Sequence, residues 1–139
     1  MLKKIKLLNY SRYIEKSGSL IPFYTDKSFP KSFKLKRFFL LYGKKKFIRA
    51  DHAHMKTTQI IIPLRGNIKI TTFYENKKKI FSLKVSKKKA LYIPPYHWIK
   101  IDFKCDEDSL ITLCDYKYDK KEYISNFDSF QNLLRKWKY

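Results

Sequence analysis

Apolar and polar residues alternate with a period of two along much of the chain. Ile68, Ile70 and Thr72 alternate with Asn67, Lys69 and Thr71, and Ile99, Ile101 and Phe103 with Lys100 and Asp102. Successive side chains of a strand point to opposite faces, so this is the signature of half-buried β-strands. Further segments rich in β-branched and aromatic residues follow one another closely: "SLIPFY", "KLKRFFLLY", "KFIRADHAH", "QIIIPL", "KIFSLKV", "ALYI" and "SLITLCD". The short turns "RGN" and "YENKKK" suit antiparallel hairpins. Many short strands with little helix between them predict a mainly β sandwich or barrel, not a parallel α/β sheet. The period changes near the end. From Asp119 onward the apolar positions Tyr123, Phe127, Phe130, Leu134 and Trp137 fall on one helical face, and Asp119 with Glu122 can form a capping box. One C-terminal α-helix is expected there, its aromatic stripe packed on the sheet.

A length of 139 residues suits a single domain spanning 1–139. With 44% hydrophobic residues, 17% aromatics, three glycines and five prolines, the chain is neither disordered nor of low complexity. The opening "MLKKIKLL" is too short in apolar residues for a signal peptide, and no later segment is built to span a bilayer, so a cytoplasmic location is expected. Cys105 and Cys114 lack metal-ligand spacing and read as two thiols in strand or core positions. The net charge of +20 attracts anions, yet the basic residues are mostly lysines in triplets beginning at Lys44, Lys77 and Lys87, where connections between strands are expected. Lysines there keep sheet edges from pairing with other molecules. No dedicated nucleic-acid or membrane partner is implied, while a small anionic ligand fits.

Candidate chemistry concentrates in "RADHAHMKTTQ", residues 49–59. Residues two apart on a strand share a face, so His52 and His54 should both point inward and Ala53 outward. One inward histidine is ordinarily a satisfied core residue; two on one face are costly to bury without a task. The spacing is that of the first cupin motif, in which His-x-His precedes an acidic ligand and then a glycine. Here Gly66 is present but the acid is replaced by Gln59, whose neutral amide binds a divalent metal less well and cannot balance its charge. His97, in "YIPPYHWIKI", shares strand parity with Ile99, so a three-histidine site of His52, His54 and His97 stays open.

These residues, taken in order, resemble the metal-independent sugar 3,4-ketoisomerases of the WxcM-like cupin group, which act on dTDP-4-keto-6-deoxyglucose. The resemblance runs over most of the chain: "GSLIPFY", "KRFFLLY", then Arg49, Ala50, Asp51, His52, Ala53, His54, Lys56 and Gln59, followed by "LYIPPYHW", "LCDYKYD" and "EYISNFDSF". Ala50 stands where the family usually has glycine, and Asp51 adds a carboxylate beside the first histidine. The resemblance implies a cupin jelly-roll antiparallel barrel with one C-terminal helix, no cofactor and no metal, a dTDP-linked 4-keto-6-deoxy sugar as substrate, and a strand-swapped homodimer.

Moving a ketone from C4 to C3 requires a base, an acid and stabilisation of an enediolate oxygen. Histidine, with an ordinary pKa of about 6.5, exchanges protons in either direction near neutrality. His54 is expected as the base at C3, with His52 completing the transfer or polarising the oxygen, and Gln59 donating an amide hydrogen bond to the enediolate. Arg37 and Arg49 are expected to grip the pyrophosphate from neighbouring strands, with Lys56 at its edge, and Trp98 to stack on the thymine or wall the sugar pocket. Two rival classes remain, a metal cupin built on His52, His54 and His97, and a basic binding protein without catalysis.

Overall fold

The computed structural model describes residues 3–138. Among them the chain forms twelve strands and one α-helix: β1 (Lys6–Asn9), β2 (Tyr13–Glu15), β3 (Gly18–Leu20), β4 (Arg37–Tyr42), β5 (Ile48–His54), β6 (Gln59–Arg65), β7 (Ile68–Tyr74), β8 (Lys77–Leu83), β9 (Lys89–Ile93), β10 (Trp98–Phe103), β11 (Ser109–Cys114), β12 (Tyr123–Ile124) and α1 (Phe127–Lys138). Two five-stranded sheets carry the fold, ordered β1-β9-β6-β11-β4 and β12-β5-β10-β7-β8, with β2 and β3 a separate hairpin. Every pairing is antiparallel. The mainly β class and the single C-terminal helix agree with the sequence reading. The barrel, however, is not closed: β1 and β8 are edges on one side of the molecule, β4 and β12 on the other.

The alternation read from the sequence decides what fills the space between the sheets. Ile61, Leu91, Ile93 and Leu110 from the first sheet meet Ile68, Ile70, Leu83, Ile99, Ile101 and Phe103 from the second in one buried cluster. Each such side chain, taken from water, contributes roughly 1.5–3 kcal/mol. A second cluster lies on the outer face of the first sheet, where Phe29 and Phe33 from the segment before β4 cover Ile60, Ile62 and Leu113. A third lies on the outer face of the second sheet, where Phe130 and Leu134 of α1 cover Ala53, Trp98 and Ile124.

Several local expectations change. "RGN" is not a hairpin, because β6 and β7 belong to different sheets and the turn carries the chain across the gap. Gly66 makes that corner with φ +81, and a Cβ there would run into the Asp108 carboxylate. "YENKKK" does make a hairpin, but Lys77, Lys78 and Lys79 are exposed residues of edge strand β8, not a connection. The helix begins seven residues later than expected: Asp119 caps only a single 3-10 turn, Lys120–Glu122, accepting from the Lys121 amide, and β12 follows. The first turn of α1 is capped by Asn126, whose side chain accepts from the Ser129 amide at 2.9 Å. Phe130 and Leu134 face the sheet as expected; Trp137 lies outside the residues whose side chains are described.

Candidate active site

The inner faces of the two sheets define a polar end to the gap. In the second sheet Tyr123 of β12 pairs with His54 of β5. Two residues back, His52 pairs with Ile99 of β10, which pairs in turn with Thr72 of β7. In the first sheet Gln59 of β6 pairs with Cys114 of β11, and Cys114 with Arg37 of β4. Strand parity turns this second row inward, since Ile61 and Leu110, two and four residues away on β6 and β11, are in the inter-sheet core. A hydrogen bond spans the gap: the Arg37 guanidinium donates to the Tyr123 hydroxyl at 3.3 Å while its Nε donates to the Tyr116 carbonyl at 3.2 Å.

His52 and His54 do share a face, their rings edge-on with centroids 4.8 Å apart, and the Tyr123 ring packs 5.0 Å from the first and 4.3 Å from the second. Ala53, as expected, points away and is fully buried beneath α1. His54 Nδ1 lies 2.7 and 3.0 Å from the two oxygens of Glu122, a residue that the sequence reading assigned to a helix cap. Glu122 is 2% exposed and also accepts from the Thr57 amide at 3.0 Å and from the Thr57 hydroxyl. Burial alone would raise its carboxyl, but hydrogen bonds from His54 and Thr57 outweigh it and hold the group below its ordinary value. With Nδ1–H donating to Glu122, the proton-free nitrogen of His54 is Nε2, which is buried without a partner.

Electrostatics separates the two rings. Burial and the neighbouring His54 push His52 down to about 4, against smaller upward pulls from a backbone hydrogen bond at Ala50 and from Glu122 and Asp51. His52 is therefore a neutral imidazole at physiological pH. Gln59 is 5% exposed, and its Oε1 is the other buried side-chain atom among the described residues without a partner. Buried polar atoms are nearly always satisfied, which sets these two apart from the other buried side-chain polar atoms among the described residues.

The strand that delivers the histidines is bulged. Between Ile99 and Lys100 the register of β10 against β5 shifts, so that Asp51 is an extra residue, and both Ala50 (φ 65) and Asp51 (φ 57) are left-handed. This is the physical reason for glycine at position 50 in the pattern that the sequence resembles. Asp51 earns its place otherwise: its carboxylate accepts from the Trp98 indole at 3.0 Å.

Other expected site residues are not brought to this gap. Trp98, 3% exposed, packs against Phe127 and Phe130 under α1, on the opposite face of β10 from Ile99, so it neither walls the pocket nor is open to stack on a base. Arg49 is exposed on β5 and Arg37 sits on β4, strands consecutive in the chain but in different sheets, so the two do not form a pair on adjacent strands. Lys56 is exposed with its ammonium 5.6 Å over the Tyr116 ring. His97 follows the parity of Ile99, its ring stacked on Tyr74 at 4.8 Å and its Nδ1 3.1 Å from the Pro94 and Pro95 carbonyls. Burial lowers its pKa. Among the described residues no three His, Cys, Asp or Glu side chains are grouped to hold a metal ion. His97 instead lines a cavity of about 340 Å3 with Lys3, Lys4, Thr72, Lys77 and Lys79, at the open seam between the β1 and β8 edges.

Glu122, Thr57 and Tyr123 were missed by sequence reasoning. The helical stripe absorbed "EYI", although Glu122 and Ile124 with Tyr123 between them also fit the period of a strand.

Two antiparallel sheets enclosing an inward His-x-His wall define a cupin-like protein. The chain belongs to the family described as FdtA: WxcM-like, C-terminal, whose model matches residues 3–135. It is 29% identical over 133 residues to the TDP-4-oxo-6-deoxy-alpha-D-glucose-3,4-oxoisomerase of Aneurinibacillus thermoaerophilus, covering 94% of this chain and 93% of the relative. It is similar to the crystal structure of QdtA, a sugar 3,4-ketoisomerase from Thermoanaerobacterium thermosaccharolyticum in complex with TDP, with a TM-score of 0.89 and 28% identity over 100% of both chains. A histidine-to-asparagine variant of QdtA in complex with TDP-4-keto-6-deoxyglucose superposes with a TM-score of 0.88 at 28% identity, covering 98% of this chain and 97% of that one.

Proposed function

We propose that the protein is a nucleotide-sugar 3,4-ketoisomerase that converts dTDP-4-keto-6-deoxyglucose to a dTDP-3-keto-6-deoxyhexose in deoxysugar biosynthesis. The observation that carries this reading is the pair of buried, unpartnered atoms, His54 Nε2 and Gln59 Oε1, at one end of the gap. A base and an amide, with a neutral second imidazole beside the base, are the parts an enediol mechanism uses. The relatives named above act on, or are bound to, a sugar nucleotide of this kind.

His54 Nε2 takes the C3 proton, and the electron pair of the broken C–H bond becomes the C3–C4 double bond with charge on the C4 oxygen. A proton then moves from the C3 hydroxyl to that oxygen, and a proton returned to C4 leaves the ketone at C3. No redox partner enters the balance. His52, held neutral, has one donor and one acceptor nitrogen, which suits it to relay the proton between the two oxygens. The Gln59 oxygen accepts from a sugar hydroxyl, and after rotation of the amide the nitrogen donates to the enediolate. Arg37 reaches the site through Tyr123, a placement that favours orienting the wall over gripping phosphate. The lysine-lined cavity at the seam suits the diphosphate better than Arg49 or Lys56 does.

A homodimer belongs to the same reading. Phe38, Leu40 and Tyr42 on edge strand β4 are 60%, 50% and 60% exposed, and the hairpin residues Tyr13, Ile14 and Leu20 are more than half exposed. Apolar surface of this extent asks for a partner, and the protruding hairpin suits an exchange of strands. The setting is cytoplasmic, where free thiols such as Cys105 and Cys114 persist.

Incubation with dTDP-4-keto-6-deoxyglucose in deuterated water, followed by NMR of the sugar, tests the activity. A 3-keto product carrying solvent deuterium is expected, and it disappears in His54→Asn. Unchanged substrate at high enzyme concentration overturns the reading. So does stoichiometric bound metal whose removal abolishes turnover, which selects the metal cupin. Salt-sensitive binding of unrelated DNA with no response to dTDP-sugars selects the binding protein.

A further inference from the structure

The Glu122 carboxylate lies on the far side of the His54 ring from the orphaned Nε2. Both of its oxygens are within hydrogen-bond reach of Nδ1, and the amide and hydroxyl of Thr57 hold it in turn. At 2% exposure Glu122 is shielded from solvent, and the His54 ring is its ion-pairing neighbour whenever that ring takes up a proton. We infer that Glu122 is the positioning residue of the site: it fixes the tautomer of His54 with the lone pair on Nε2, aims that lone pair into the gap, and stabilises the imidazolium formed when the ring takes the substrate proton. The inference rests on His54 being the base.

A buried carboxylate bound to the remote nitrogen of an imidazole does this by elementary electrostatics. The tautomer with Nδ1–H gains a charge-assisted hydrogen bond that the other tautomer lacks, and the positive charge arriving on the ring falls beside a fixed negative one. Thr57 donates twice to the carboxylate and so keeps it ionised and in register. The remaining titratable groups facing the pair do not share its transition. Burial pushes the Tyr123 hydroxyl up and the Cys114 thiol up, so both stay neutral. His52 titrates only near 4.

The test uses the intact protein with dTDP-4-keto-6-deoxyglucose. Glu122→Gln keeps the shape and removes the charge. It is expected to lower kcat by about 10²-fold or more with KM changed less than about threefold. The acid limb of its kcat profile should move to lower pH, because the imidazolium loses its stabilising neighbour. Glu122→Asp, which keeps the charge, should recover part of the loss. A raised KM with unchanged kcat, an unmoved acid limb, or Asp no better than Gln overturns the inference. Should Glu122→Gln fail to fold, nitrogen NMR of the wild-type imidazoles decides: His54 protonated on Nδ1 supports the inference, and the Nε2–H tautomer overturns it. If His54→Asn stays active, the base assignment falls; if it is dead while Glu122→Gln matches wild type, only the positioning role falls.

Discussion

His52 carries a cost that depends on pH. Its folded pKa of about 4 lies below the ordinary 6.5, so between those values the unfolded chain binds a proton that the native chain refuses. Stability is thus at its full value above pH 6.5 and declines as the pH falls toward 4. The depressed Glu122 carboxyl acts in the same direction, its contribution lost as the pH falls and it protonates. Urea unfolding at pH 7 and pH 5 is expected to show a wild-type loss from which His52→Asn removes a part on the order of 1–2 kcal/mol, the part due to the buried His97 remaining. Equal losses in the two proteins would show that His52 is no more reluctant to charge than a free histidine.

At the scale of elements, the bulge in β5 is the feature that aims the histidines. Two consecutive left-handed residues, neither of them glycine, cost about 1–2 kcal/mol each in backbone strain. The Asp51 to Trp98 hydrogen bond and the burial of Trp98 under α1 hold the strained strand in place. Ala50→Gly is expected to relieve one of the two positions. It should raise Tm by about 2–3 °C with turnover unchanged, as scanning calorimetry and the NMR assay would show. A lower Tm would mean that the Ala50 methyl, packed against the inter-sheet core, outweighs the strain. The elements also show what the sequence makes legible. Period-two alternation located the core strands and put His52 and His54 on one wall, because parity is a property of neighbours in the chain. Parity could not show which strands would share a sheet, so "RGN" read as a hairpin although it crosses between sheets. Nor could it show which face of β10 lies under the helix, and Trp98 was therefore expected in the pocket. Glu122 was hidden for the same reason: its partner is 68 residues away.

At the scale of the molecule, the proposed homodimer rests on the apolar side chains that β4 exposes, Phe38, Leu40 and Tyr42. Replacing two of them, Phe38→Glu with Leu40→Lys, is expected to convert a two-chain particle into single chains in light scattering, with the far-UV spectrum retained. A wild-type protein that already scatters as a single chain would remove the dimer from the reading. The strand order has a further consequence, in time instead of space. Each large sheet interleaves strands from distant parts of the chain, with β11 between β6 and β4 and β12 added last beside β5. Such contacts form slowly, because long loops must close before any pairing repays them. His54 meets Glu122 and Tyr123 only when the chain beyond β11 has come back to dock, so a nascent or partly folded chain holds a histidine with nothing to set its proton.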